Sequence, residues 1–567
     1  MRDGRTEGDA THDAIREPTG DAIHDAIHDA IHDAIHDAIH DVIVVGSGAG
    51  AMTGALMAAA DGLDTVVLER TALLGGTSAY SGAACWLPGT QVQERAGLGD
   101  STDAARTYLR ALVGDTGPDR REAFLRHAPE LVARLESDPA VEFEWRAFPD
   151  YVAAPGRMDA GRSFVPRDLP REELGDLLPL VRPAVDRDRA GQGHPDGPLT
   201  AGRALIGRLL LAATRTGNTT VRTGHRVTGL VTEHGRVTGV EAETPQGTVT
   251  VRARRGVLLA AGGFEGDDAL RTEHGVPGAA AWTMAPPGAT TGDLLRAAVR
   301  IGAATDLLDE AWWCPGTERP DGRAAFTLGL RGGIVVDAAG RRFANESLPY
   351  DRMGRALATA QAPAHLIFDS REGGGLPAIT VPPADPEEHL ASGVWVKADT
   401  LPELAERIGV PAGALTDTVA RFNGRAATGT DPDHHRGEDP YDRFFADTRN
   451  APGPNPCLVP LDRPPYYAAR LVLADLGTKG GLRTDVHARV LDHAGDPIPG
   501  LYAAGNTSAS FTGRVYPGPG VPIGTGMVFA SLAVRDMTSP DALPASGITS
   551  GATGGARSTV TAPPARD

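Results

Sequence analysis

Cysteine is scarce in this chain: three in 567 residues, Cys85, Cys314 and Cys457, at no spacing that suits a metal. That excludes a disulfide framework and fits a reducing compartment. No uninterrupted apolar run approaches the ~18 residues of a membrane span, so no stable membrane insertion is expected. The N-terminus lacks the basic and apolar regions of a secretory signal, which makes a cytoplasmic location the expectation. Positive charge is also short. Lys and Arg number 55 against 73 Asp and Glu, a net charge of −18, which argues against nucleic acid or an anionic membrane as a partner. What remains is ordinary for a globular protein, 41% hydrophobic and 23% charged, and long enough for at least two domains.

From Asp21 to His40 the tetrapeptide "DAIH" repeats. On a helix its histidines, His24 to His40, would recur four apart, a spacing able to chelate a metal. A period of four drifts by about 40° per step against 3.6 residues per turn, so no stripe keeps one face. No metal site is expected. Residues 1–40 read as a disordered extension, a duplication of the residues just before the first strand.

The globular pattern opens with "DVIVVGSGAGAMTGALMAAADGLDTVVLER", Asp41 to Arg70. It predicts a buried strand (Asp41 to Val45), a glycine cluster, a helix of small residues (Ala51 to Ala60) and a second strand, "TVVLE". Gly46 permits the turn, Gly48 lets the backbone approach a pyrophosphate, and the helix start offers its amides to that anion. Ala51 takes the third consensus place, with Gly50 beside it. Glu69 ends the second strand 23 residues after Gly46, where a ribose-binding acid belongs. A second glycine loop follows, "LLGGTSAYSGAACWLP", with hydroxyls at Thr77, Ser78 and Ser81. Nicotinamide enzymes have no use for it there; a flavoprotein needs it, so the expected cofactor is FAD. Two later strands also end in small residues, "RGVLLAAGGFEGD" at Gly262–Gly263 and "IPGLYAAGNTSAS" at Gly505, as ligand-binding strand ends do.

Together these four pieces resemble the fumarate reductase/succinate dehydrogenase flavoprotein superfamily across nearly all of residues 41–537. The resemblance implies an α/β fold: a Rossmann-like doubly wound FAD-binding domain (41–305 and 475–537) with an inserted α+β catalytic domain (306–474), and a disordered tail at 538–567. The FAD site it implies takes in Gly46, Ser47, Gly48, Gly50, Ala51, Glu69 and Arg70 from the first unit. Gly75, Gly76, Thr77, Ser78, Ser81 and Gly82 come from the second loop, and Val227, Ala261, Gly262, Gly505, Asn506, Gly520, Pro522 and Ile523 from later segments. Members with covalent flavin use a histidine in the second loop. "GGTSAYSG" has none, so FAD should be non-covalent.

The chain has nine tyrosines, and three stand out in stretches that set a tyrosine near proline or glycine: Tyr151 in "FPDY", Tyr350 in "NESLPY" and Tyr516 in "RVYPGPG". Alone, Tyr151 or Tyr350 would read as a half-buried aromatic with a satisfied hydroxyl. Together they resemble the 3-ketosteroid 1-dehydrogenase family, which desaturates ring A of 3-ketosteroids. The resemblance implies Tyr350 as base, reacting as tyrosinate with Tyr151 in support, and hydride transfer to flavin N5. It implies that Tyr516 O–H and Gly520 N–H form a two-donor oxyanion site for the ketone, held by the intervening prolines. A helix beginning near Gly524 would point its positive end at the reduced flavin. The implied partners are a hydrophobic ketone, a 3-ketosteroid above all, and an electron acceptor such as a quinone. Other readings stay open: a carboxylate-clamping enoate reductase using Arg352 or Arg514, a 4(5)-desaturating ketosteroid dehydrogenase, and a desaturase of another cyclic ketone. A flavin-binding protein without turnover also remains. The apolar "AWWCP" at Ala311–Pro315 favours a hydrophobic substrate over a carboxylate.

Overall fold

The structure, a computed structural model, describes residues 39–448, 453–539 and 560–561. The repeat before residue 39 and the tail outside 538–539 and 560–561 lie outside the described residues. Five parallel strands form the heart of a nine-stranded sheet, in the order Pro497–Ala503, Gly247–Leu259, Ile39–Val45, Thr65–Leu68 and Thr219–Arg222. The first strand takes in Ile39 and His40, the last residues of the repeat; Ile39 pairs with Arg252, and His40 Nδ1 bonds the Asp64 carboxylate at 3.1 Å. Its side chains alternate between two cores. Val42 and Val44 pack with the helices Ala49–Ala60, Ala201–Arg215 and Val521–Thr538. Ile43 and Val45 face an antiparallel meander, Arg226–Glu233 and Arg236–Thr244 with Gly247–Leu259. Cover on both faces explains the unbroken apolar run in the sequence.

The small residues of Ala49–Ala60 serve close packing. A Cβ on Gly50 would stand 2.9 Å from the Gly526 carbonyl oxygen, so this helix lies in backbone contact with Val521–Thr538. That contact brings the last segment of the chain onto the first glycine loop. The last helix begins at Val521, earlier than the Gly524 the sequence suggests, because Pro522 is well placed in a first helical turn, where no N–H is missed.

A second sheet of seven strands is antiparallel throughout, with Tyr466–Thr478 as its spine between Ala311–Glu318 and Ala364–Asp369. The helix Tyr350–Thr359 starts at the end of the Asn-Glu-Ser run, with Pro349 as its N-cap. Two charges fix the approach to it: Glu346, fully buried, is gripped by Arg342 at 2.7 Å and Arg436 at 3.0 Å. No helix among the described residues is long and apolar enough to cross a membrane.

Candidate active site

A cavity of about 390 Å³ runs along the carboxyl ends of the parallel strands. Gly46, Ser47, Gly48, Gly50, Glu69 and Arg70 line it at one end, then Gly76, Thr77, Ser78, Ser81 and Gly82. Val227, Ala261, Gly262, Gly505, Asn506, Gly520, Pro522 and Ile523 complete it. Ala51 and Gly75 do not line it: Ala51 is fully buried within its helix, and Gly75 N–H is spent on Ser47 Oγ at 2.9 Å. The Glu69 carboxylate is fixed by Ser47 Oγ (2.6 Å) and by Thr71 N–H (2.8 Å). Arg70 is held across the mouth by Thr291 Oγ1 at 2.7 Å.

These residues fit FAD. The helix Ala49–Ala60 has glycine as its N-cap and no side-chain cap; Ser78 Oγ accepts from Ala49 N–H at 3.1 Å, leaving later first-turn amides for an anion. A Cβ on Gly76, Gly82 or Gly505 would meet nothing within 4 Å, so bare backbone borders open space along the cavity. Thr290 Oγ1, buried on its wall, has no partner among the described residues. Sequence reasoning missed Thr290 and also Glu265, a buried carboxyl on the same wall. Burial and the nearby Asp475 push Glu265 up to about 7. The only signal was the acid following "GGF".

At the other end of the cavity Tyr350 and Tyr516 form part of the lining; Tyr151, expected beside them, stands behind them and borders a separate crevice instead. Tyr350 O–H donates to the Tyr516 hydroxyl at 2.9 Å. The ring of Tyr151 stands 5.2 Å from each of theirs, edge to face. All three are buried. Among the described residues the Tyr151 hydroxyl has no hydrogen-bond partner; burial pushes it well above the ordinary tyrosine value, while its proximity favours the anion of Tyr350. Burial is the largest influence on Tyr350 and pushes it well above the ordinary tyrosine value; the Tyr516 ring adds to this. Tyr516 is also raised by burial, while hydrogen bonding with Tyr350 and the Gly520 N–H pull it down. The Gly520 amide thus favours the anion of Tyr516, as Tyr350 does.

The loop carrying Tyr516 is locked by its own carbonyls. Pro517 O accepts from Tyr151 N–H (2.9 Å) and Tyr108 O–H (2.8 Å), and Pro519 O accepts from Ser163 Oγ (2.5 Å). Gly520 adopts φ +88°, and a Cβ there would fall 2.0 Å from the Ala84 carbonyl oxygen. Only glycine fits this place. The cavity wall beside the phenols is apolar: Phe148, Met284, Phe326, Leu328, Val381 and Leu476. Trp312 and Trp313 are not part of that wall; Trp312 packs behind Tyr516, ring to ring at 4.7 Å. Arg514 is tied to Asp309 and Glu310, and Arg352 opens into a separate crevice. The cavity's arginines, Arg70 and Arg226, both bond Asp293.

Residues 41–523 match the FAD binding domain family. A 3-oxosteroid 1-dehydrogenase of Rhodococcus opacus is 44% identical over 516 residues, covering 87% of this chain and 97% of that protein. A 4-oxocyclohexanecarboxylate 2-dehydrogenase of Sinomonas cyclohexanicum is 38% identical, with coverage of 87% and 92%. Among solved structures, the 3-ketosteroid delta1-dehydrogenase of Sterolibacterium denitrificans, in complex with 1,4-androstadiene-3,17-dione, superposes with a TM-score of 0.81 at 35% identity. It covers 88% of this chain and 99% of its own. A glycine-lined FAD cleft that ends in a buried cluster of phenols therefore has its place: this chain belongs to the 3-oxosteroid 1-dehydrogenase family of FAD-dependent oxidoreductases acting on CH–CH groups.

Proposed function

We propose that the chain catalyses 1(2)-desaturation of 3-ketosteroids. The observation that carries this reading is the meeting of Tyr350, Tyr516 and the Gly520 amide at the apolar end of the cavity. Tyr516 O–H and Gly520 N–H hold the ketone oxygen and stabilise enolate charge there, which acidifies the neighbouring α carbon. Tyr350 takes the α proton. Because burial keeps its phenol protonated at neutrality, turnover should rise with pH as the tyrosinate forms, with Tyr151 supporting it. FAD, held non-covalently, supplies the acceptor for the hydride lost from the β carbon. A quinone-like acceptor would take the electrons onward. Of the divisions at 305/306 and 474/475, the second is drawn inside the strand Tyr466–Thr478, and Phe148, Met284, Leu476 and Tyr516 reach the substrate wall from the cofactor segments.

The Sinomonas relative favours a second reading, desaturation of a small cyclic keto acid. That substrate carries a carboxylate, and among the described residues the apolar wall beside the phenols has no cation to receive it. Incubation with androst-4-ene-3,17-dione and an artificial electron acceptor tests the choice. New absorbance of the 1,4-dienone is expected, whereas turnover of 4-oxocyclohexanecarboxylate alone would replace the steroid reading. Acid precipitation should leave yellow FAD in the supernatant; colour retained in the pellet would mean a covalent link.

A further inference from the structure

Behind the phenols lies a compact set of charges, none of which lines the cavity. Asp351 follows Tyr350 directly, Glu310 precedes the strand Ala311–Glu318, and Lys479 follows the spine strand; each is at most 4% exposed. Arg355, one turn on from Asp351, bonds Glu310 at 2.9 Å, Asp351 at 3.2 Å and the Arg514 carbonyl at 2.6 Å. Arg514 also pairs with Glu310 and Asp309. Lys479 Nζ donates to the Val515 carbonyl at 2.6 Å and lies 4.2 Å from the centroid of the Trp312 ring that packs on Tyr516. One oxygen of Asp351, Oδ1, is buried without a partner among the described residues. Its negative charge opposes ionisation of Tyr516, and Arg355 and Lys479 are the cations that offset it.

We propose that Lys479 is a positioning residue for the dehydrogenation read above: it pins the peptide before Tyr516 and offsets Asp351, so that the phenols can carry negative charge. This rests on the assignment of Tyr350 and Tyr516 to the chemistry. Burial brings Lys479 down to about 7, with Asp351 and Glu310 holding it up and Arg355 and Arg514 pressing it down. Lys479 therefore reaches the phenols through Asp351 and through the Val515 carbonyl that it holds.

The test is the pH dependence of kcat/KM in the purified flavoprotein. Lys479→Met keeps the apolar stem and removes the cation. It should move the ascending limb upward by about one pH unit and lower turnover near neutrality about tenfold, with the flavin spectrum unchanged. Lys479→Arg should keep the limb in place. Asp351→Asn should move it downward. An unmoved limb in Lys479→Met, or a shift of the same sign in both charge-removing variants, overturns the proposal. Should Lys479→Met fail to hold flavin, Asp351→Asn decides alone, and no downward shift sinks the idea. Near-normal turnover in Tyr350→Phe sinks the functional reading instead, whatever Lys479 does.

Discussion

Tyr350 and Tyr516 share one hydrogen bond but not one task, and single-atom deletions separate them. Tyr350→Phe removes the proposed base and should abolish dehydrogenation while bound FAD keeps its visible spectrum. Tyr516→Phe leaves the Gly520 amide in place and should cost about 10²–10³ in rate, as the loss of one oxyanion donor does. Tyr151→Phe should be milder, and should raise the pH needed for turnover, because its neighbourhood favours the Tyr350 anion. The order of the three matters more than their sizes, since groups acting as a unit are not additive. These residues were legible in the sequence because each stands in a proline- or glycine-rich setting that fixes its backbone. Lys479 and Glu265 were not legible. Their significance comes from charges brought together from distant segments, and no local spacing announces that.

Elements place these residues through a few close approaches. Tyr350 opens a helix that seats on the strand below at Gly354, where a Cβ would come 2.8 Å from Cys314 N and from Trp313 Cβ. Gly354→Ala should lift the helix, destabilise the fold by about 1–3 kcal/mol and depress turnover with FAD still bound; unchanged melting and activity would show that the seat has slack. The neighbouring strand Ala364–Asp369 carries His365, buried with Nδ1 unpartnered. Burial, aided by Arg470, takes it down to about 4. An unfolded histidine titrates near 6.5, so the unfolded chain binds the proton first. Stability should then be full above that value and decline as pH falls from about 6.5 to about 4, by up to ~3 kcal/mol. His365→Gln should flatten that part of the profile in urea titrations at several pH values. Strand, turn and helix at Asp41–Arg70 were readable because both faces of the strand are covered and its apolar run is unbroken. The start of the last helix was misplaced, because a proline beside glycines reads as loop until its position in a first turn is seen.

At the scale of the molecule, the parallel strands supply the cofactor cleft, while the phenols arrive from three separate stretches of chain. Which residues of the glycine motifs face the cavity and which serve packing could not be told from spacing alone: Ala51 is buried within its helix and Gly75 bonds Ser47, and of the tryptophans of "AWWCP" it is Trp312 that supports Tyr516 from behind. The Pro517 carbonyl has a further consequence. It accepts from Tyr108, 409 residues earlier in the chain, and from Tyr151, so neither end of the protein can build the Tyr516 loop alone. Such distant closures come late when a chain refolds. Recovery of turnover after dilution from denaturant should therefore lag recovery of helical circular dichroism and of flavin binding, whereas simultaneous return would mean the loop forms locally. Activity in this protein is a clock that starts only when its two ends have found each other.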